Sequence, residues 1–207
     1  MSKYHYENSL WASGIKLIAG VDEVGRGAWA GPLCAAAVVL SKKMRGLDDS
    51  KVLSITIRNK LYDRIVSNCD YGIGTVEVNE LNRFGLTWAN HTAMKRAIDG
   101  LSQKPHHLLV DYIKLPKSIT NISQTSITGG DALSASIAAA SIVAKVTRDK
   151  LMMQLHNGDT SIRSFAFHRN FGYGTKCHRN ALAKYGPTKY HRYFYLPVAK
   201  SRQGMLF

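Results

Sequence analysis

The chain has 207 residues, 45% apolar and 20% charged, a balance that excludes a disordered polymer and suits one globular domain with at most a small appendage. Lys and Arg outnumber Asp and Glu 28 to 14, for a net charge of +14, so a polyanion is the expected partner and nucleic acid is favoured over a membrane surface. The three cysteines (Cys34, Cys69 and Cys177) form no C-x-x-C pair, which argues against a disulfide framework or zinc ribbon, and no run approaches the ~18 apolar residues of a membrane span. The N-terminus lacks the order of a signal peptide, so a cytoplasmic monomer is expected.

Residues 1–14 are polar and aromatic and read as a loose lead-in. An apolar run (Leu17, Ile18, Ala19, Val21) then delivers two adjacent carboxylates, Asp22 and Glu23. The turn Gly25-Arg26-Gly27 follows, and a second apolar run extends from Leu33 to Leu40, giving strand, acidic tip, tight turn, strand. In an extended strand Asp22 and Glu23 point to opposite faces, so they share a ligand only where the strand bends, as the glycines permit. The pair reads either as a polar hairpin tip or as part of a cation site.

Leu47 to Lys51 form a loop, and Ser54 is the expected cap of a helix to about Asn68, with Ile57, Leu61, Ile65 and Val66 inward. Tyr71 to Val78 alternates and predicts a third strand. Asn79 opens a helix to about Leu101, with Leu81, Trp88, Met94, Ala97 and Ile98 inward and Gly85 as a kink or break. A fourth strand climbs from His106 to Val110 and ends on Asp111, and a short fifth is expected from Ile122 to Thr128. Asp131, after a Gly129-Gly130 turn, opens one long helix whose small residues suit close packing on a sheet. Residues 157–175 read as loop and 176–185 as a short helix. Three strands in succession, then strands alternating with helices, predict an α/β fold with a mixed sheet.

Sites in α/β folds gather at sheet ends, which selects Asp22, Glu23, Asp111 and Asp131 from the fourteen acids. Asp149, on the same long helix as Asp131, would lie roughly 27 Å away at ~1.5 Å per residue. Asp131 has a second reading, as a helix cap. Four converging carboxylates repel unless cations lie between them, and all-oxygen donors favour Mg²⁺ or Mn²⁺ over zinc. Two such ions are the usual clamp for phosphodiester hydrolysis. The P-loop-like Gly20 to Gly27 segment lacks its Lys-Ser/Thr ending, and neither H-E-x-x-H nor G-x-S-x-G occurs.

These blocks resemble a known family. D-E-V-G-R-G at 22–27, L-D-D-S-K-V-L-S at 47–54, L-L-V-D at 108–111 and G-D-A-L-S-A-S-I-A-A-A-S-I-V-A-K-V-T-R-D at 130–149 are similar to the signatures of type 2 ribonucleases H (ribonuclease HII). F-G-Y-G-T at 171–175, Y-G-P-T at 185–188 and H-R-Y-F at 191–194 continue the match in the family's order. The resemblance implies a ribonuclease H-like mixed five-stranded sheet flanked by helices, with a small helical C-terminal appendage. The catalytic domain would run over 15–198, with 157–198 as a substrate-contacting appendage and 199–207 as a flexible tail.

The resemblance also makes Asp22, Glu23, Asp111 and Asp131 the catalytic, metal-binding acids, with Mg²⁺ or Mn²⁺, two ions in the active complex. It implies that the Gly25-Arg26-Gly27 backbone senses a ribose 2′-hydroxyl, that Tyr173 packs on the following sugar, and that Ser50 and Lys51 lie near the substrate backbone. The implied activity is hydrolysis of the RNA strand of RNA/DNA hybrids and incision 5′ of ribonucleotides embedded in duplex DNA, leaving 3′-hydroxyl and 5′-phosphate ends. A ribonuclease HIII-like hybrid nuclease and a non-catalytic basic nucleic-acid binder on the same fold are the alternatives. This sequence departs from the family at Tyr112, where glycine is common, at Gly129, where lysine is common, and over 157–171. The chain ends Gln203-Gly204-Met205-Leu206-Phe207, which resembles the short peptide by which bacterial repair proteins dock on the sliding clamp, with Gln203, Leu206 and Phe207 as anchors.

Overall fold

The computed structural model describes residues 3–48, 50 and 52–202, so the expectations for Lys51, Gln203, Leu206 and Phe207 fall outside the described residues. The chain forms two compact units, one of residues 1–24, 34–75 and 90–146 and the other of residues 25–33, 76–89 and 147–207.

The first unit carries the sheet. Its strands are β1 (Ile18–Val24), β2 (Leu33–Val39), β3 (Asp70–Val76), β4 (His107–Asp111) and β5 (Ser123–Ile127), in the spatial order β3-β2-β1-β4-β5. β1 pairs antiparallel with β2 and parallel with β4, and β4 pairs parallel with β5, so the sheet is mixed. The apolar runs of β1 and β2 are explained by the burial of Ile18 to Val21 and of Leu33 to Val38, and Cys34 is a core residue as expected.

Helix α1 (His5–Ala12) occupies the stretch that reads as a loose lead-in, and it docks through Tyr6, Leu10 and Trp11, which pack on the core around Ile18 and Ile137, and through Glu7. The Glu7 carboxylate is fully buried, and its Oε1 accepts hydrogen bonds from the Ser134 hydroxyl at 2.6 Å and the Ser136 amide at 2.9 Å. Those bonds cap α5 (Ala135–Gly158), at the end of a helix where negative charge is favoured. The single helix expected from Asp131 is in fact two. Ser134 stands extended at φ −121° and ψ 132° between α4 (Gly130–Leu133) and α5, and its Oγ accepts from the Ile137 amide.

α5 lies directly on β1. A Cβ on Gly20 would sit 2.0 Å from the Ser136 carbonyl carbon, so only glycine admits this approach. Ile137, Ile142, Val143 and Val146 are buried along α5, as the sequence predicts. α2 (Ile55–Asn68) starts at its Ser54 cap and buries Leu61 and Ile65, but Ile57 is half exposed. α3 (Val78–Asp99) is broken at Gly85, at φ 81° and ψ 170°. The break shifts the phase of the helix. Trp88, expected inward, is 37% exposed and lies on the ring of Phe84 at 4.4 Å, while Met94, Ala97 and Ile98 remain buried.

The second unit has its own core of Met152, Ile162, Phe165, Phe167, Leu182 and Val198. Residues 157–175, expected as loop, hold a 3₁₀ turn over Thr160–Phe165 and the short helix α6 (Phe167–Asn170). α7 (Lys176–Tyr185) matches the predicted helix, capped by Thr175. α8 (Leu196–Arg202) follows, so residues 199–202, expected in a flexible tail, complete a helix whose Val198 is buried. No helix of the described residues is long and apolar enough to cross a membrane.

Candidate active site

Parallel pairing brings the acids of the first unit to one end of the sheet. Val21 of β1 lies opposite Val110 of β4, so Asp22 and Asp111 are the next residues along two adjacent, parallel strands. Asp111 is in turn opposite Ile127, the last residue of β5, and the chain continues from there through Gly129 and Gly130 to Asp131. The carboxyl ends of β1 and β4 therefore bring Asp22, Glu23 and Asp111 to one edge of the sheet, with Asp131 four residues beyond the end of β5.

Asp22 is buried on the face covered by α5. Its Oδ1 accepts the Glu23 amide at 2.7 Å, and the Ser141 hydroxyl also bonds to the carboxylate. Burial raises its pKa well above the usual carboxylate range, and the charges of Glu23 and then Asp111 raise it further. Three carboxyl groups thus repel one another at the end of β1, the condition that a cation relieves. Asp131 is also buried, and the residue that caps α4 is Gly129, in left-handed conformation, which removes the capping reading of Asp131. Asp111 Oδ1 accepts the Gly130 amide at 2.6 Å, tying the start of α4 to the end of β4. Tyr112, one residue on, has φ 61°, a conformation that glycine adopts freely and other residues at a cost of about 1–2 kcal/mol.

Among the described residues no group of three or more His, Cys, Asp or Glu stands close enough to form a ready-made metal cage. Mg²⁺ is not usually held in such a cage. It takes one or two carboxylates from the protein and fills its remaining positions with water and substrate phosphate. The oxygen-only donors and their mutual repulsion fit that mode of binding.

Ser50 is buried, with its hydroxyl 2.9 Å from Ser141 Oγ and its carbonyl accepting from Arg58. Its side chain is engaged inside the unit, one hydroxyl removed from Asp22. Ser141 carries no sequence signal beyond lying in an alanine-rich helix, and it was not among the residues singled out above.

The second unit holds the Gly25-Arg26-Gly27 turn, which follows β1 directly in the chain. Two fully buried arginines bind main-chain carbonyls of this unit, and one of them, Arg192, binds those of the turn. Arg192 donates to the carbonyls of Gly25 at 2.6 Å, Arg26 at 3.2 Å, and Gly31 and Pro32 at 2.9 Å each. Arg148 donates to Pro32 at 2.8 Å, Phe171 at 2.9 Å and Ala30 at 3.2 Å. The Tyr195 hydroxyl also donates to the Arg26 carbonyl. Burial, and then the charge of Arg148, push the Arg192 guanidinium down to about 10, which leaves it cationic at neutral pH. The Gly25 and Arg26 carbonyls of the turn thus face one buried cation, Arg192.

Gly25 has φ 93°, and a Cβ there would meet Arg148 Nε at 2.2 Å, so glycine is required by the protein itself. Gly27 differs. Its φ is unexceptional and no described atom lies within 4 Å of where its Cβ would be, so nothing in the protein demands glycine there. Tyr173 lies in the same unit, with its ring 5.4 Å from the Arg148 guanidinium.

The family model described as Ribonuclease HII matches residues 19–198. The chain belongs to the ribonuclease HII family. A Ribonuclease HII of Bacillus cytotoxicus is 46% identical over 201 residues, covering 96% of this chain and 74% of the relative. Among solved structures, the ribonuclease H2 of Pyrococcus horikoshii OT3 superposes with a TM-score of 0.75 at 24% identity, covering 91% of this chain and 98% of that one. The PCNA:RNase HII complex of Archaeoglobus fulgidus gives a TM-score of 0.72 at 25% identity, covering 86% and 95% of the respective chains. Family membership makes this ribonuclease HII chain a hydrolytic endonuclease, and the expected mixed five-stranded sheet flanked by helices is the one observed.

Proposed function

We propose that this ribonuclease HII chain hydrolyses the RNA strand of RNA/DNA hybrids and cuts 5′ of ribonucleotides embedded in duplex DNA, serving ribonucleotide excision repair. Asp22, Glu23, Asp111 and Asp131 hold two Mg²⁺ or Mn²⁺ ions. The observation that carries this reading is the gathering of Asp22, Glu23 and Asp111 at the ends of adjacent parallel strands, where each acid raises the pKa of Asp22. When bound, the ions activate water and stabilise the leaving oxygen. The P–O3′ bond breaks, so the ends are a 3′-hydroxyl and a 5′-phosphate. The net charge of +14 supplies contacts to phosphates, which position the duplex without reading its sequence.

Recognition of RNA falls to the Gly25-Arg26-Gly27 backbone and to Tyr173. The 2′-hydroxyl alone distinguishes ribose from deoxyribose locally, and it is read by groups in fixed positions. Arg192 fixes the turn by its Gly25 and Arg26 carbonyls, Arg148 fixes the following chain at Ala30, and the open space at Gly27 is the space a substrate backbone needs. Tyr173 packs on the following sugar. Lys51 contributes charge to the substrate backbone, and Ser50 orders its loop through Ser141.

The test compares three duplexes: an RNA/DNA hybrid, DNA with a single ribonucleotide, and all-DNA. Cleavage of the first two and none of the third is expected. Tyr173→Ala should lower kcat/KM on the single-ribonucleotide duplex about tenfold or more while changing duplex affinity less, since stacking positions and charge attracts. Cleavage of all-DNA duplex, or equal losses of binding and cleavage in Tyr173→Ala, would overturn the assignment.

A sliding clamp is the proposed partner of the tail. The Archaeoglobus relative was solved in complex with PCNA, and Gln203, Leu206 and Phe207 offer one polar and two apolar anchors in a terminal segment. Removing residues 203–207 should abolish clamp binding in a pull-down and leave cleavage of short duplexes intact. No clamp affinity of the full chain at tens of micromolar would sink the idea.

A further inference from the structure

We propose that His178 and His191 form a neutral hydrogen-bond relay of fixed polarity that anchors the carbonyl of Tyr173, and that both are positioning residues for the Tyr173 ring. The proposal rests on the reading that Tyr173 contacts the substrate sugar. Every residue in it belongs to the second unit.

The geometry leaves one assignment of protons. The Thr188 amide donates to His191 Nδ1 at 2.9 Å. An amide N–H can only donate, so Nδ1 carries the lone pair and the proton of the neutral ring is on Nε2. His191 Nε2 lies 3.0 Å from His178 Nε2, which must therefore accept. The His178 proton is then on Nδ1, which faces the Tyr173 carbonyl at 3.0 Å. A carbonyl can only accept, so the far end of the chain independently demands the same polarity. A proton added to either ring would set two N–H groups against each other.

Both rings are fully buried, enclosed by Phe165, Phe167 and Trp29. Burial pushes both imidazoles down, His191 to about 3, so the pair stays neutral over the working pH range. A buried polar pair in an aromatic cluster is costly unless every group is satisfied, and here each ring nitrogen has a partner. What the relay connects is informative. One end is the turn at Thr188, whose Oγ1 also lies 3.0 Å from His191 Nδ1. The other end is the main chain of Tyr173, whose amide donates to Asn170 at 2.8 Å. Tyr173 is thus held at both its amide and its carbonyl, which fixes the main chain from which its ring projects. A sugar contact needs that constraint, because small displacements of a positioning group reduce rate steeply.

The first test is spectroscopic and uses the intact wild-type protein. Long-range ¹H–¹⁵N spectra should show His191 protonated on Nε2 and His178 on Nδ1, with a scalar coupling between the two Nε2 nuclei through the hydrogen bond. The reverse tautomers, or an imidazolium at neutral pH, would overturn the proposal. The second test is kinetic. His191→Phe keeps the ring volume but can neither accept from Thr188 nor donate to His178. It should lose roughly ten- to a hundredfold in kcat on the single-ribonucleotide duplex, with KM changed much less. His191→Gln, which can accept and donate, should recover much of the loss. If His191→Phe lowers only the folded fraction, so that all substrates lose activity in step and kcat per folded molecule is unchanged, the pair is structural and the proposal is wrong. Tyr173→Ala separates the two readings. If it alters the substrate preference and His191→Phe does not, the relay fails and the Tyr173 assignment stands. If Tyr173→Ala itself has no effect, that assignment fails and takes the positioning role with it, whatever the tautomers are.

Discussion

Asp111→Asn is expected to cut kcat at least about a hundredfold while leaving the protein folded and its affinity for a duplex nearly unchanged. Asn can still accept the Gly130 amide that Asp111 Oδ1 binds at 2.6 Å, so the end of β4 keeps its tie to α4. The charge is what disappears. A neutral amide is a poor ligand for Mg²⁺, and the group proposed to hold the ions loses one of its three mutually repelling members. The same repulsion gives the prediction a second, opposite sign. Removing a charge that raises the pKa of Asp22 should leave thermal stability equal or slightly higher than wild type. Near-normal cleavage at ordinary Mg²⁺, or a fall in melting temperature, would contradict the four-acid site.

Arg192→Leu should destabilise the protein by about 3–5 kcal/mol, a lowering of Tm by roughly 10 °C for a chain of this size. Four carbonyls lose the Arg192 donor inside the protein; Pro32 keeps Arg148, Arg26 keeps the Tyr195 hydroxyl and Gly25 a longer bond from the Ala28 amide, while Gly31 is left unmet. Each unmet buried acceptor costs about 1–3 kcal/mol, and loss of the repulsion with Arg148 offsets part of the total. Arg192→Lys should recover little, because one ammonium cannot reach carbonyls arranged for a planar fork. Chemical denaturation measures both variants. A change within about 1 kcal/mol for Arg192→Leu would mean that the turn does not depend on this arginine.

The two variants mark where sequence reading succeeds and where it stops. Asp22, Glu23, Asp111 and Asp131 could be nominated because each stands at the end of a run with clear strand or turn character, and parallel strands bring such ends to one edge of a sheet. Their mutual proximity was not legible, since it depends on the register of β1 against β4. Inward faces were read correctly at Ile137 to Val146 and at Met94, Ala97 and Ile98, and wrongly at Ile57 on the first turn of α2 and at Trp88, three residues past the break at Gly85. The single helix expected from Asp131 failed for a nonlocal reason: Glu7, more than a hundred residues away, and Ser134 cap a new start at Ala135. Arg148 and Arg192 were invisible as structural residues. A buried guanidinium whose partners are main-chain carbonyls leaves no pattern in side chains, and composition alone places arginine on the surface.

The contact between Gly20 and Ser136 has a consequence for the dynamics of the site. With no side chain between them, β1 and α5 cannot separate by a rotamer change, so the segment carrying Asp22 opens only when the sheet and its covering helix come apart. The proposed metal-binding end of β1 should therefore rank among the slow-exchanging amides in hydrogen exchange, with the motion that admits and releases a duplex in other segments.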